Sequence, residues 1–304
     1  LFPYTTLFRS LILGETGTGK EIIASGIHAE RHGGRPLPYV TINCTAIPEQ
    51  LLESELFGHE KGAFTGATEA RMGKFQLAGD GDILLDEIGD MDLQMQSKLL
   101  RVLESREFER VGGREIIPLR AGIIASTNQN LLAMSERRAF RADLYYRLST
   151  IELYLPPLRA RPEDIPLLID RLCAQKGGRL RLTSQAMEYL QRYTWPGNVR
   201  QLKNLVGRWL VFYDGVQITG RHVVDELTIG QRSYNEAFGV TDPLAGTASP
   251  SGPASAPPPT LADQERAALE QALAYAGGNR ALAARVLGIS RTALYQKLER
   301  FRLS

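Results

Sequence analysis

One glycine-rich stretch has the residue types and the spacing that bind phosphate. Gly14–Glu21 reads G-E-T-G-T-G-K-E, follows the apolar run Leu11–Leu13 and precedes a helical pattern that reaches Arg31. In a loop of the G-x-x-x-x-G-K type, backbone N–H groups at a helix N-terminus cradle phosphates, and the lysine contacts the β and γ oxygens. Strand, loop and helix occur in the required order, so the pattern predicts a nucleotide site rather than a simple turn. The predicted nucleotide-binding residues are Gly14, Glu15, Thr16, Gly17, Thr18, Gly19, Lys20 and Glu21.

A pair of acids follows another apolar run. Gly81–Leu85 predicts a buried strand, and Asp86 and Glu87 stand at its end. An acid in this place holds Mg²⁺ directly or through water, while its neighbour polarises an attacking water. We assign Asp86 to the metal and Glu87 to the general base. Solvation of a strand end is the alternative, and the phosphate loop in the same chain argues against it. Together the two motifs predict an ATPase site that uses ATP and Mg²⁺.

Three polar residues further along the chain fit the same reaction. Asn128 follows the apolar strand pattern Arg120–Ser126, where an amide can lie beside the γ-phosphate, but alone it is weak evidence. Arg141 and Arg147 are always charged and forked, which suits the charge that develops on a γ-phosphate. From the residues alone, surface salt bridges explain these arginines equally well.

A glycine-bracketed loop lies between these motifs. It contains Gly62, Ala63, Phe64, Thr65, Gly66 and Ala67. Glycine allows backbone angles that other residues avoid, so this predicts a mobile loop. Phe64 at its tip is unusual unless it contacts a partner. The alternative is a surface turn whose Phe64 folds back onto the core.

The elements that must position these residues alternate between strands and helices. Apolar strand patterns separated by helical ones, as in Tyr39–Asn43 followed by Pro48–Phe57, predict an α/β fold with a mainly parallel sheet and helices on both faces. Glu107–Leu119 departs from this pattern and predicts a β-hairpin. Beyond Pro156 only helical patterns follow, and they predict a small helical lid. Arg200, in the first turn of its last helix, either lies over the nucleotide or is a solvated charge.

Composition excludes several classes of protein. The 304 residues carry a net charge of +2 and 43% hydrophobic residues, which is typical of a soluble chain of two or three domains. The two cysteines form no disulfide framework, which fits a cytoplasmic location, and no apolar run is long enough to cross a membrane. His28 and His32 lie four apart, but no third metal ligand is near them in sequence, so they predict a solvated helix face.

The two ends of the chain differ from the middle. Residues 1–10 predict a non-native leader, a translated sequencing adaptor, in which case the natural protein continues upstream. Residues 229–260 shift to Pro, Ala, Ser and Gly and predict a flexible linker. In residues 261–304 two short helical patterns flank a Gly turn, which predicts a helix-turn-helix domain, with a helical dimerisation module as the alternative. Its predicted inward-facing residues are Ala283, Val286, Ile289, Leu294 and Leu298. Its predicted DNA contacts are Arg291, Thr292, Tyr295 and Gln296 at base edges and Lys297 and Arg300 at phosphates.

Taken together, these motifs resemble a known family. The chain from about Leu11 to about Leu227 resembles the AAA+ domain of sigma-54-dependent transcription activators, the NtrC-like enhancer-binding proteins. The C-terminal part resembles a Fis-type DNA-binding domain, which favours DNA contact and implies dimers. The motifs that carry the first resemblance are Gly14–Glu21, Asn43-Cys44, Phe57–Ala67, Gly81–Glu87, Phe140–Leu148 and Trp195–Asn204.

The resemblance implies a ring, usually a hexamer, with ATP sites between subunits. Asn43 is similar to the asparagine that restrains the catalytic glutamate. Arg141 and Arg147 match the arginines that act in trans, and Arg200 matches the sensor arginine of the lid. Glu21 stands where other phosphate loops have a Ser or Thr, and the family commonly carries this acid.

The resemblance also implies partners. The Gly62–Ala67 loop resembles the one that contacts sigma-54, which implies an activator that binds enhancer DNA and remodels sigma-54 RNA polymerase holoenzyme. Two alternatives are a DNA-binding regulator with a vestigial ATPase that acts by occupancy and a phosphate-loop ATPase with another client. The predicted domains are 11–155 for the α/β subdomain, 156–228 for the lid, 229–260 for the linker and 261–304 for the helix-turn-helix.

Overall fold

The structure is a computed structural model that describes residues 8–213 and 215–227, with isolated helical positions at 269, 273, 280, 294, 298 and 301. The chain divides into two compact units, Leu1–Phe238 and Gly239–Ser304. In the second unit Leu294 and Leu298, predicted to face inward, are helical and buried. The other predicted inward-facing residues and all six predicted DNA contacts lie outside the described residues.

The first unit contains a parallel sheet, helices around it and a second, smaller helical part. In chain order its elements are β1 (Arg9–Leu13), α1 (Lys20–Arg31), β2 (Tyr39–Asn43), α2 (Glu49–Phe57), β3 (Gly58–His59), β4 (Arg71–Met72), α3 (Lys74–Ala78), β5 (Asp82–Asp86), α4 (Leu93–Ser105), β6 (Glu107–Phe108), β7 (Ile117–Pro118), β8 (Gly122–Thr127), α5 (Leu131–Glu136), α6 (Ala142–Leu148), β9 (Glu152–Tyr154), α7 (Asp164–Gln175), β10 (Arg181–Leu182), α8 (Ser184–Arg192), α9 (Asn198–Phe212) and β11 (Gln217–Ile218). Short 3-10 turns cover Ile88–Asp90 and Leu158–Ala160, and a last helix covers 220–227.

The five-stranded sheet has the order β2-β5-β8-β1-β9, and every neighbouring pair is parallel. This confirms the predicted α/β fold. Because the strands are parallel, their carboxyl ends lie along one edge, where ligands of such sheets bind. The phosphate loop follows β1 there, Asp86 ends β5 and Asn128 follows β8.

Helices cover both faces of the sheet, as predicted. Leu11 belongs to the larger apolar core, whereas the next residue, Ile12, packs with Ala24 of α1 on the other face. Successive strand side chains point to opposite faces, so a continuous apolar run such as Leu11–Leu13 suits a strand that is buried on both sides.

The structure corrects one boundary prediction and confirms one hairpin prediction. Strand β1 begins at Arg9 rather than at Leu11, because Arg9 and Ser10 pair in parallel register with Ile123 and Ile124 although neither is apolar. The predicted hairpin is confirmed, since β6 and β7 pair antiparallel within Glu107–Leu119.

The lid has its own apolar core, which contains Trp195 and Trp209, both fully buried. The expectation that it is helical only is wrong, because β10 and β11 form a parallel pair. Strands of two residues are too short to produce an alternating sequence pattern. Among the described residues, no helix is long and apolar enough to cross a membrane.

Candidate active site and its loop

Three of the predicted site residues meet at the carboxyl edge of the sheet. The Lys20 ammonium lies 3.1 Å from the Gly14 carbonyl oxygen and 3.3 Å from Glu87 Oε1. The other Glu87 oxygen accepts from the backbone N–H of Asn128 at 3.1 Å. The Asn128 amide also donates to Thr16 Oγ1 at 2.7 Å, so the end of β8 is tied to the phosphate loop. Phosphate loop, acid and amide therefore form one connected cluster.

Glu87 has an unusual backbone. Its φ of 52° places it in the left-handed region, which is rare for a residue with a side chain and recurs at functional sites. This conformation starts the 3-10 turn Ile88–Asp90 directly after β5. The carboxylate is thereby directed toward Lys20 rather than along the strand.

Asp86 is held by two neutral donors. Ser126 Oγ donates to Asp86 Oδ1 at 2.6 Å, and Asn43 Nδ2 donates to Asp86 Oδ2 at 3.1 Å. This corrects the expected contact of Asn43, since its amide lies on Asp86 and not on the neighbouring Glu87. The reason is the register of the sheet, in which Asn43 pairs directly with Asp86. Neither donor is charged, so neither is an ion-pair partner that a cation would have to displace.

The phosphate loop leaves the N-terminus of α1 open. No side chain caps this helix, and its N-cap residue Gly19 has a φ of 104° with open space where a Cβ would be. The first N–H groups of a helix lack partners within it, and together with the helix dipole they attract anions. A cleft of about 380 Å³ opens beside Gly14 and Asn128. The loop thus fits the phosphates of a nucleotide.

The lid is fastened to the phosphate loop by a clasp of three residues that sequence reasoning did not combine: Glu15, Arg159 and Asn198. Arg159 donates to both oxygens of Glu15 at 2.8 and 2.5 Å. Hydrogen bonds from Arg159, with a smaller contribution from Asn198, lower the pKa of Glu15 to about 2. Asn198 also donates to the Thr16 carbonyl at 3.1 Å. No sequence signal links these positions, because Arg159 and Asn198 are far from Glu15 in the chain.

The backbone of Arg200 contacts the same loop. Its backbone N–H donates to the Gly17 carbonyl at 3.2 Å, and a Cβ built on Gly17 would lie 3.1 Å from the Arg200 Cβ. The turn before α9 is equally close, since that Cβ would also meet the Gly197 carbonyl at 2.5 Å. Glycine is therefore needed at position 17. Arg200 itself is exposed.

Arg141 and Arg147 do not reach this cluster within the described chain. Arg141 forms a 2.6 Å ion pair with Asp143 and donates to Ser97 Oγ of α4. Arg147 donates to the Leu103 carbonyl at 3.4 Å. The Arg141 side chain remains 41% exposed. Arg141 is the N-cap of α6 and Arg147 lies within that helix. Both contact α4, and within the described chain neither forms a hydrogen bond or ion pair with Lys20 or Glu87.

The glycine-bracketed loop is a hairpin tip between β3 and β4. Gly62 and Gly66 have φ values of 83° and 105°, which explains the glycines at these positions. Phe64 is 40% exposed and its ring lies edge-on to His59, so it does not enter the core. Thr65 is exposed as well. The structure corrects the prediction that Ala67 contacts a partner. At 6% exposure its side chain is packed inward and anchors the loop.

The β6–β7 hairpin braces the base of this loop. Glu60 N–H donates to the Val111 carbonyl at 3.0 Å, and Arg110 binds Glu60 Oε1 at 2.7 Å. Arg110 also donates to Gln76 Oε1 at 3.2 Å. Sequence reasoning placed this hairpin but did not single out Arg110. Its contacts lie 34 and 50 residues away in the chain.

A second cluster of polar residues lies at the opposite end of β5. His28 Nδ1 and His32 Nε2 each lie 2.8 Å from Asp82 Oδ2, and Arg31 contacts Asp82 Oδ1. Asp82 and His32 are buried. The prediction of a solvated histidine face is therefore wrong, because the fold supplies a third group about 50 residues away that sequence spacing does not reveal.

Comparison with known protein families assigns three regions of the chain. The model of the sigma-54 interaction domain matches residues 4–154. The model of the AAA+ ATPase lid domain matches residues 159–238, and that of the bacterial regulatory proteins of the Fis family matches residues 260–301.

Individual relatives agree with these regions. The chain is 42% identical over 300 residues to the regulatory protein AtoC of Escherichia coli, covering 96% of this chain and 62% of AtoC. It is 44% identical over 293 residues to the Nif-specific regulatory protein of Azotobacter vinelandii, covering 92% of this chain and 52% of that protein. The chain therefore spans about half to two thirds of the length of these relatives.

A solved structure shows the same architecture. NtrX from Brucella abortus, crystallised in complex with ATP, is 32% identical and aligns with a TM-score of 0.65 over 97% of this chain and 64% of NtrX. NtrX has also been crystallised with ADP.

Proposed function

Because the chain belongs to the NtrC-like family of sigma-54-dependent transcription activators, we propose that it hydrolyses ATP to remodel sigma-54 RNA polymerase holoenzyme. In this proposal it binds enhancer DNA through its C-terminal domain and drives open-complex formation with the Gly62–Ala67 loop. The observation that carries the proposal is the convergence of Lys20 and the Asn128 N–H on the two oxygens of Glu87. This arrangement places a phosphate-binding cation and a general base side by side.

The chemistry follows from the groups at the carboxyl edge of the sheet. Backbone N–H groups of the phosphate loop and of α1 bind the phosphates of ATP, and Lys20 adds a positive charge there. A magnesium ion held by Asp86 would neutralise charge on the phosphate oxygens. Glu87 accepts a proton from the attacking water, and Asn128 holds the base through its backbone and the loop through its amide. Lys20 is shared between Glu87 and the phosphate position, so phosphate binding releases the base.

A short stretch of chain connects this site to the Gly62–Ala67 loop. Asn43, on Asp86, also accepts hydrogen bonds from Thr45 N–H at 2.9 Å and Ala46 N–H at 3.1 Å. This turn leads into α2, whose last residue precedes β3 and the Gly62–Ala67 loop. A change in the contact between Asn43 and Asp86 therefore shifts the start of α2. The helix, being a rigid element, transmits that shift to Phe64 and Thr65.

The arginines of α6 complete the site in an oligomer. Since Arg141 and Arg147 contact α4 rather than the phosphate loop of their own subunit, we place them against the ATP of a neighbouring subunit in a ring, which we infer to be a hexamer. An arginine supplied in trans increases phosphoryl transfer by about 10³–10⁵-fold. We infer that the DNA-binding domains pair as dimers. Because the proposed partners, RNA polymerase and enhancer DNA, are cytoplasmic, we expect the protein in the cytoplasm.

Hydrolysis is tested with Glu87→Gln in the full chain. We expect nucleotide binding to persist while turnover falls by more than about 100-fold, because the amide cannot accept the proton. Glu136→Gln, on the exposed surface of α5, is the matched control and should hydrolyse ATP normally. Unimpaired hydrolysis by Glu87→Gln would refute the assignment of the base.

Coupling is tested with Thr65→Ala at a sigma-54 promoter. Basal hydrolysis should persist and open-complex formation should be lost, since Thr65 is exposed in the loop and is not among the residues that form the cluster around Lys20 and Glu87. The control Thr68→Ala removes an exposed hydroxyl just outside the tip. If Thr65→Ala still activates transcription, the loop is not the coupling element. If Glu87→Gln activates as well as the unaltered chain, the protein acts by occupancy.

A further inference from the structure

The cluster at the opposite end of β5 from Asp86 has the composition of a metal site. Its potential ligands are His28 from the last turn of α1, His32, the residue that caps the end of α1, and Asp82, the first residue of β5. One ligand atom from each residue lies within 4.8 Å of the others, and it is the one such group of three among the described residues. The side chain of Asp82 is fully buried and that of His32 is 6% exposed. These groups are therefore assembled away from water rather than gathered on a surface.

We propose that this cluster binds a divalent transition-metal ion of the Zn²⁺ type through His28 Nδ1, His32 Nε2 and Asp82 Oδ2. Two imidazole nitrogens and one carboxylate oxygen form a donor set that suits borderline cations such as Zn²⁺ and not Mg²⁺. Both rings already direct a nitrogen at the same carboxylate oxygen at 2.8 Å. With the ring proton on the other nitrogen, each presents a lone pair to the ion, and water takes the fourth position.

The neighbourhood holds the carboxylate in place. Gly122 lies beside Asp82, and a Cβ there would collide with both Asp82 Oδ1 and the Arg31 guanidinium. The ring of Tyr39 packs 5.0 Å from the ring of His28, which restricts the orientation of that imidazole. Such outer contacts orient ligands in metal sites.

Arg31 is the group that opposes a cation here. Its guanidinium contacts Asp82 Oδ1 and lies 3.3 Å from His32 Nε2. However, its side chain is 28% exposed, so it can turn toward solvent when a metal enters. It also occupies Oδ1 and leaves Oδ2 to the histidines. In the metal-free protein Arg31 neutralises a buried carboxylate, which otherwise would be costly.

The site joins two elements that carry the nucleotide chemistry at their other ends. Helix α1 begins with Lys20 and strand β5 ends with Asp86. A metal bound to His32 and Asp82 clamps the end of this helix to the start of this strand. It binds the folded chain and not the unfolded one, so it stabilises the first unit in proportion to metal concentration.

The test is zinc binding by the full chain without nucleotide. After treatment with a chelator and desalting, the protein competes with a chromophoric chelator for Zn²⁺, and Co²⁺ replaces Zn²⁺ to give an absorption spectrum of the site. We expect one equivalent of Zn²⁺, a Co²⁺ spectrum typical of nitrogen and oxygen ligands, and a melting temperature that rises with Zn²⁺ concentration. His28→Gln and His32→Gln should each weaken binding by more than the roughly 10–100-fold loss caused by outer-shell changes.

The controls use the other histidines and the nucleotide site. His59→Gln and His222→Gln remove the remaining two of the four histidines and should bind Zn²⁺ normally. Asp86→Asn should also keep Zn²⁺, which separates this site from the magnesium position. Asp82→Asn adds a third ligand variant, and far-UV circular dichroism checks that each variant is folded, because both tryptophans lie in the lid. The proposal is overturned if the unaltered chain binds Zn²⁺ no more tightly than His28→Gln, or if a control substitution abolishes binding.

Discussion

Asn198 provides the sharpest test of how the lid positions the phosphate loop. Its amide oxygen accepts from Leu158 N–H within the lid at 2.8 Å. Its amide nitrogen donates to the phosphate loop, to the Thr16 carbonyl at 3.1 Å and to Glu15 at 3.2 Å. The residue is fully buried, and its φ of 50° lies in the left-handed region. Asparagine tolerates this backbone better than most residues with a side chain.

Two substitutions separate the amide from the backbone. Asn198→Ala leaves Leu158 N–H and the Thr16 carbonyl unpaired, at about 1–3 kcal/mol each, and places alanine in the left-handed region at about 1–2 kcal/mol. We expect a loss of about 3–5 kcal/mol in the free energy of unfolding of the lid, near the upper end for one substitution. Asn198→Gly loses the same hydrogen bonds without the backbone strain, so it should be about 1 kcal/mol less harmful.

The chain offers a selective assay for this loss. Both of its tryptophans, Trp195 and Trp209, are buried in the lid, so tryptophan fluorescence during urea unfolding follows the lid itself. ATP affinity, measured with a fluorescent analogue, should weaken in parallel because Thr16 and Glu15 lose their partner. Asn204→Ala is the matched control, since it removes an exposed amide from the same helix.

Two results would contradict this reasoning. If Asn198→Ala unfolds within about 0.5 kcal/mol of the unaltered chain, as surface substitutions do, the amide does not hold the lid. If Asn198→Gly is more harmful than Asn198→Ala, the left-handed backbone is not a source of strain.

Two further predictions concern ionised groups. Arg110→Met removes the 2.7 Å ion pair with Glu60 that supports the Gly62–Ala67 loop. Open-complex formation should therefore fall severalfold while basal hydrolysis persists. Equal activation by the variant would show that the hairpin does not support the loop. Glu15 has its pKa lowered from 4.5 to about 2, so the clasp contributes stability above pH 4.5 and loses it as pH falls toward about 2. Glu15→Gln should flatten this part of an acid titration followed by tryptophan fluorescence. Because both side chains of the pair are over 40% exposed, the loss in the free energy of unfolding is within about 1 kcal/mol. An unchanged titration would contradict the assigned role of Glu15.

Most of the fold follows from local signals. Apolar runs predicted four of the sheet strands to within about two residues of their observed ends, and Tyr39–Asn43 agrees at both ends. Local chemistry also fixes a helix start, since the side chain of the capping residue Asp92 accepts from Gln94 and Met95 N–H at the beginning of α4. Elements of two residues, such as β10 and β11, were missed because so short a strand has no period to detect.

The site divides in the same way. The phosphate loop and the acid pair were predictable because each is contiguous, and its chemistry depends on the order of residues. The hydrogen-bond partner of Asn43 was not predictable, because it depends on which strand lies beside β2 and on the register of that strand pair. The burial of Ala67 was equally hidden, since only the packed hairpin shows which side of the loop faces inward.

The sequence by itself determined that this chain carries a phosphate loop, an acid pair after a strand and a glycine-bracketed loop, because each is a local pattern with its own chemistry. Only the tertiary structure decided that Glu15 is clasped by the lid and that His28 and His32 share Asp82. These contacts join residues about 50 to 183 positions apart, and no periodicity reports such distances. The packing of α1 against β5 and of the lid against the phosphate loop brings them together, because these elements are remote in the chain and meet only in the folded protein.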